Sequence, residues 1–268
     1  MHSDSTTSWK ITRYHQHLQT KEDDEIARET AITVMINGDQ YATIVCTPTH
    51  VHELVIGFLA SEGIIRTMDQ IEGLTVDEKT GFVYVELSMS VDLTERTQRW
   101  IGSCCGKSRE FYLKQDVKTA KTITKAPTMS SQQIVDLMRK FDEAAKIHDR
   151  TGGVHQAALA TGTEMICAFI DIGRHNALDK LFGFILEHHL SLKDKCILFS
   201  GRISSEVVLK VSKIGCGVLL AKSAPTDLAL KLAEDLQITA AGFIRENKLN
   251  VYTHDSRIYG DMGHHVSK

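Results

Sequence analysis

The sequence predicts an α/β chain, α+β taken as a whole, with a mostly-β N-terminal domain ahead of a C-terminal α/β domain. Three observations predict it. Short apolar runs in the first half end at turn signals such as Asn37-Gly38. Strand-like and helix-like stretches alternate from about residue 130 onward. A Lys/Thr-rich stretch with a single proline, residues 114–128, separates the two rhythms and reads as a linker.

Residues 1–29 are polar and charge-rich (Lys21-Glu22-Asp23-Asp24-Glu25) and are expected to form a loose lead-in to the β-rich domain, residues 30–113. Ile32–Ile36 and Tyr41–Val45 are strands joined at Asn37-Gly38, a strong hairpin signal. A helix from Thr47 to about Glu62, with Pro48 in its first turn, spaces Val51, Leu54, Val55, Phe58 and Leu59 along one face, and Gly63 ends it. His50 and His52 at its start read as solvated residues rather than ligands. Strands follow at Ile71–Val76 and Phe82–Leu87.

The C-terminal domain, residues 129–268, opens with a capping box in which Ser130 is the N-cap and Gln133 the third helical residue. Ile134, Leu137, Met138, Phe141 and Ala145 give that helix one apolar face. Strands at Gln156–Thr161 and Met165–Ile170 are joined by a Gly162 turn, and a helix runs on to about His189. Then come strand Cys196–Phe199, helix Ser204–Lys213, strand Gly217–Ala221, helix Pro225–Leu236, strand Ile238–Ile244 and a short strand Leu249–Tyr252.

Composition narrows the function. Hydrophobic content of 42%, charged content of 24% and a net charge of −3 describe a soluble globular chain without the basic excess that nucleic acid or a membrane surface demands. No apolar run reaches bilayer length, and Met1–Thr7 lacks the apolar core of a secretory signal. A cytoplasmic protein is expected, with Cys46, Cys167, Cys196 and Cys216 as reduced, buried thiols.

The remaining two thiols stand apart. In Gly102-Ser103-Cys104-Cys105-Gly106-Lys107 they sit side by side between glycines, with Lys107 and Arg109 close enough to favour thiolate over thiol. This reads as a reactive sulfur loop; packing as small hydrophobes is the alternative. A strained vicinal disulfide acting as a redox switch is a further one.

Ligands of parallel sheets bind beyond the carboxyl ends of the strands, where helix N-termini point outward. Three strand ends here carry a cation beside a glycine or hydroxyl: Gly173-Arg174-His175, Ser200-Gly201-Arg202 and Lys222-Ser223. If those strands are parallel, Arg174, Arg202 and Lys222 share one rim suited to a phosphate or pyrophosphate, with Gly152-Gly153 adding main-chain amides. Paired Cys-x-x-Cys motifs are absent, and His155-Gln156-Ala157 lacks the Glu that a zinc deaminase needs. A structural metal is not expected. Walker, G-x-G-x-x-G and G-x-S-x-G motifs are absent too.

Several stretches resemble the formate dehydrogenase accessory sulfurtransferase family: Thr151–His155, the ten-residue block Asp171–Lys180, Ser200–Glu206 and Asn250–Thr253, with Glu62–Ile65 and Ser223–Thr226 fitting as well. The resemblance implies a sulfur carrier that takes sulfur from a cysteine desulfurase as a cysteine persulfide. It passes that sulfur to the molybdenum bis-molybdopterin guanine dinucleotide cofactor before the cofactor enters formate dehydrogenase. A homodimer is implied, and a C-terminal domain similar to the cytidine deaminase fold without its zinc. The family's loop reads Cys-Gly-x-Cys-Gly; alignment on Gly106-Lys107 equates Cys105 with the second thiol and leaves Cys104 near the first. The family's cofactor-binding segment falls on Phe243-Ile244-Arg245-Glu246-Asn247-Lys248. A chaperone that binds the cofactor without sulfur chemistry is the second reading.

Overall fold

The computed structural model describes residues 5–91, the main chain of 99–101, and residues 119–145 and 151–260. Residues 6–27 form a hairpin, not a loose lead-in: β1 (Thr6–His15) and β2 (Leu18–Ala27) pair antiparallel, Thr6 opposite Ala27 and His15 opposite Leu18. Arg13 lies 2.8 Å from Glu22 and 3.5 Å from Asp24, on the face those residues share.

β3 (Thr30–Ile36) and β4 (Asp39–Cys46) form the expected hairpin, and Asn37 and Gly38, with φ of 49° and 93°, make the turn that matches strand twist. Helix α1 (Val51–Ser61) starts later than expected: His50 is left-handed with φ 56°, and Pro48 precedes the helix instead of sitting in its first turn. The end is as read, with Gly63 N–H on Ala60 O and Ile64 N–H on Leu59 O. β5 (Ile71–Asp77), β6 (Phe82–Leu87) and β7 (Arg99–Ile101) complete a sheet of order β5-β6-β3-β4-β7.

The second half holds β8 (Met129–Ser130), α2 (Ser131–Ala144), β9 (His155–Ala160), β10 (Met165–Asp171), α3 (Arg174–Glu187), β11 (Cys196–Phe199) and α4 (Ser205–Ile214). It continues with β12 (Val218–Ala221), α5 (Asp227–Asp235), β13 (Thr239–Arg245), β14 (Lys248–Val251) and β15 (Ile258–Tyr259). The capping box holds α2, with Gln133 N–H on Ser130 Oγ at 3.1 Å and Ser130 N–H on Gln133 Oε1 at 2.8 Å. The main sheet runs β10-β9-β11-β12-β13-β14. β9 is antiparallel to both β10 and β11, while β12 is parallel to β11 and to β13. Hence β10, β11, β12 and β13 all point the same way, and their carboxyl ends share one rim.

Strict period-two alternation builds two apolar layers on this sheet. Ala157, Leu159, Ile197, Phe199, Leu219 and Ala221 face the layer of α3, α4 and α5; Ala158, Ala160, Leu198, Val218, Leu220 and Ala241 face α2.

The β-rich half joins the first layer directly. A β-carbon on Gly57 of α1 would lie 1.8 Å from Asp179 O of α3, and one on Gly183 of α3 would lie 2.0 Å from Glu53 O, so only glycines permit this contact. Beside it lies a buried polar seam. Asp171 accepts from Thr47 N–H and Thr47 Oγ1, from Gly173 N–H and from Asn176 Nδ2, and pairs with Lys180 at 2.7 Å. Asn176 Nδ2 also donates to Val45 O, Ser61 Oγ donates to Asp179, and Lys210 pairs with Asp179. Residues 119–128, expected within a linker, lie against the second half: Ile123 N–H bonds Leu236 O, and Lys121 N–H bonds Ser212 Oγ.

Candidate functional site

At the shared rim, on the α2 side of the sheet, a cleft opens between Phe141, Asp142, Ala145, Gln156, Ser200, Lys222, Ser223 and Arg245. Strand parity puts those side chains together. Gln156 is in step with Ala158 and Ala160, Ser200 with Cys196 and Leu198, and Lys222 with Val218 and Leu220, all on the face that α2 covers. Two hydrogen bonds hold the floor: Gln156 N–H to Ser200 Oγ at 2.8 Å and Ser200 N–H to Gln156 O at 3.0 Å. Ser223 Oγ donates to Ser200 O at 3.0 Å.

The cleft carries two cations and one carboxylate. Lys222 Nζ lies 2.7 Å from Asp142 Oδ1, both side chains more than a third exposed. Arg245 sits 5.8 Å from the centre of the Phe243 ring, a cation–π contact that fixes it at the mouth. Gln156 is 1% exposed, and its Oε1 has no hydrogen-bond partner among the described residues. Leaving a buried acceptor unpaired costs about 1–3 kcal/mol, so this floor is incomplete without a donor from elsewhere.

The other expected site residues divide. Arg174 and His175 stand at the start of α3, over the opposite face of the sheet, so they share the rim with Lys222 without lining its cleft. Arg174 packs beside Gly201, and its Nε is a buried donor without a partner among the described residues. His175 Nε2 is 3.0 Å from Glu206 Oε2; burial lowers its pKa, against the pull of Glu206. Arg202 is exposed on the way into α4, and Gly152 and Gly153 are exposed ahead of β9, with Gly153 against Ala27 of the N-terminal hairpin.

Within the C-terminal segment, Phe243 (φ 53°) lies in a bulge of β13, and Glu246 and Asn247, φ 50° and 61°, turn the chain so that Arg245 faces Lys248. Phe243, Arg245, Glu246, Asn247 and Lys248 are exposed, whereas Ile244 is 1% exposed and belongs to the core under α2, out of a ligand's reach. Gln156, Asp142 and Phe141 enter the cleft although the sequence alone assigns none of them to a site. The period-two pattern of β9 and the apolar face of α2 were the signals available.

Cys104, Cys105 and Lys107 lie outside the described residues. The other four cysteines are poor nucleophiles, because the thiolate is the reactive form. Burial pushes Cys46 up to about 12, with Asp171 adding to the effect, and pushes Cys167 and Cys216 to about 11. It also raises Cys196, where Cys216 adds to it. Among the described residues no cluster of three or more His, Cys, Asp or Glu side chains is placed to hold a metal ion. No helix among them is long and apolar enough to cross a membrane.

Comparison with known proteins gives consistent matches. The FdhD/NarQ family matches residues 27–259. A sulfur carrier protein FdhD of Geobacillus kaustophilus is 54% identical over 250 residues, covering 92% of this chain and 95% of that protein. Proteins of the same description from Bacillus subtilis and Staphylococcus aureus MRSA252 are 50% and 47% identical, over 92% and 96% of this chain and 95% and 98% of their own lengths. A crystal structure of a Desulfotalea psychrophila protein, described as a formate dehydrogenase accessory protein, superposes with a TM-score of 0.80 at 22% identity. It covers 96% of this chain and all of that one, which establishes the shared mixed α/β fold.

Proposed function

Because the chain belongs to the FdhD/NarQ family, we propose that it is a sulfur carrier in the maturation of formate dehydrogenase, working in the cytoplasm as a homodimer. Its relatives' description as sulfur carriers supports the role. The observation that carries the chemistry is the division of labour in the chain. Cys46, Cys196 and Cys216 are held as thiols by full burial and Cys167, only partly buried where full burial was expected, is held so as well, while a cationic cleft assembles at the rim of the main sheet. That leaves Cys104 and Cys105, flanked by Lys107 and Arg109, as the sulfur-bearing thiols.

In this reading a cysteine desulfurase presents a persulfide. The thiolate of Cys104 or Cys105 attacks its outer sulfur, a new S–S bond forms, and the donor thiolate leaves. Lys107 favours the attacking thiolate through its charge. The substrate that receives the sulfur is the molybdenum bis-molybdopterin guanine dinucleotide, an anion large enough to need several fixed cations. Lys222 and Arg245 would hold its phosphates, and Gln156 Oε1, which has no partner among the described residues, would accept from a donor on it. Formate dehydrogenase is the recipient of the sulfurated cofactor.

Complementation of cells lacking this chain tests the proposal. Cys104→Ala/Cys105→Ala should abolish formate dehydrogenase activity, and Lys222→Ala/Arg245→Ala should lower it at least tenfold with the protein still present at normal levels. Full activity from the double-cysteine variant would instead support a chaperone that binds the cofactor without carrying sulfur.

A further inference from the structure

Helix α4 starts at the rim and runs away from it, and around its last turn a second cavity lies between the two halves of the chain. Ala60 and Ile65 from the end of α1, Phe182 of α3 and the buried Lys213 of α4 line it, and Arg66 and Lys121 complete the lining. Three cations thus share one cavity in a chain whose net charge is −3. Among the described residues no carboxylate lines it. Walls that exclude water concentrate the field of such a group, and the three charges repel one another until an anion joins them.

The fold explains one of these cations. Lys213 Nζ donates to Ser61 O at 2.6 Å and so answers a carbonyl at the end of α1. Arg66 and Lys121 have no such duty. Arg66 is anchored by its main-chain N–H on Gln70 Oε1 at 2.6 Å, and Lys121 by its main-chain N–H on Ser212 Oγ at 2.8 Å. Neither side chain has a hydrogen bond or ion pair among the described residues. Lys121 Nζ would lie 3.7 Å from a β-carbon on Gly215, which keeps it against the end of α4. Partial burial lowers its pKa, with no neighbouring carboxylate to offset the effect.

We infer that Arg66, Lys121 and Lys213 form a binding site for a tetrahedral dianion of the phosphate or sulfate class, separate from the rim cleft. The Arg66 guanidinium offers paired N–H donors to two oxygens of such an anion, and the Lys121 ammonium offers a point charge to a third. Lys213 supplies charge from beneath. Two negative charges balance this group better than the single charge of a carboxylate. Arg66 belongs to the β-rich half, Lys213 to α4 and Lys121 to the segment that crosses between them, so the bound anion also ties the halves together.

Thermal unfolding of the full chain tests this with inorganic phosphate, sulfate and acetate, each compared with chloride at one pH and matched ionic strength. Phosphate and sulfate should raise the melting temperature with saturation, by about 2–4 °C at roughly ten times the dissociation constant. Acetate should bind at least roughly tenfold more weakly. Arg66→Gln and Lys121→Gln should each weaken phosphate binding at least roughly fivefold. Lys125→Gln makes the same charge change at an exposed residue outside the cavity and should leave binding as it was. Lys222→Ala/Arg245→Ala should also keep the saturable shift; losing it there would put the anion in the rim cleft and overturn the inference. A rise that never saturates and is equal in every variant is the general action of excluded salts and would overturn it too. So would acetate binding as tightly as phosphate. None of these outcomes depends on a thiol, so the sulfur-carrier reading stands or falls separately.

Discussion

Replacing Gly57 by Ala probes the weld between the two halves. A β-carbon there would lie 1.8 Å from Asp179 O, 2.6 Å from its carbonyl carbon and 2.8 Å from Gly183 N. All three are main-chain atoms, so no side chain can rotate away, and α1 and α3 must part by more than an ångström. The helices carry Leu54, Phe58, Leu59, Leu178, Leu181 and Phe182 into one core, which would loosen with them. Overpacking of this kind costs about 3 kcal/mol at the upper end of its range, against roughly 1 kcal/mol that alanine gains over glycine within a helix. The net loss is about 2 kcal/mol, or a melting temperature lower by about 4–8 °C for a chain of this size. Thermal unfolding followed by circular dichroism measures it. Gly183→Ala should behave alike, since its β-carbon would meet Glu53 O at 2.0 Å. The double variant should lose less than the two single losses added, because the first already separates the helices. A melting temperature raised by Gly57→Ala would mean that helix propensity acts unopposed, and the close contact would be refuted.

Two further outcomes follow from the buried polar groups. Lys180→Met strands the Asp171 carboxylate, 2.7 Å from its lost partner and fully buried, and should cost about 3–5 kcal/mol in urea unfolding, whereas Lys180→Met/Asp171→Asn should recover part of it. A loss under about 1 kcal/mol for the single variant would show that the pair is not buried as described. His175 gives a pH test. Burial holds its pKa below the ordinary 6.5, so above that pH it is neutral in both states and contributes no slope. As pH falls below 6.5 the unfolded chain takes up a proton that the folded chain resists, and stability declines. His175→Gln should flatten stability against pH in that window; identical slopes for the two proteins would contradict the assignment.

Local signals told the truth where one residue's chemistry fixes its neighbours. The Asn37-Gly38 turn and the Ser130–Gln133 capping box stand as read, and so does the common direction of the strands that end before Arg174, Arg202 and Lys222. The N-terminal hairpin was hidden because Lys21–Glu25 reads as a solvated run, and only its pairing with β1 shows that Arg13 answers those charges. The block Asp171–Lys180 was legible as a signature but not as a clamp. Its partners Thr47 and Val45 lie more than 120 residues away in sequence, and no spacing rule reaches that far. The rim itself could be placed in advance, yet its division between the two faces could not. Antiparallel β9 sits between β10 and β11, and α3 covers one face while α2 covers the other. Gln156 is not legible for a related reason: an amide on a small-residue strand gains meaning only once its oxygen is placed, buried and without a partner among the described residues.

The central claim is that sulfur rides on the Cys104/Cys105 pair and on no other cysteine. Tandem mass spectrometry of the chain after incubation with a cysteine desulfurase and cysteine, thiols trapped without reductant, addresses it directly. One added sulfur should map to the peptide holding Cys104 and Cys105, with Cys46, Cys167, Cys196 and Cys216 unmodified. Sulfur found on any of those four, or none found on the paired thiols, would contradict the account.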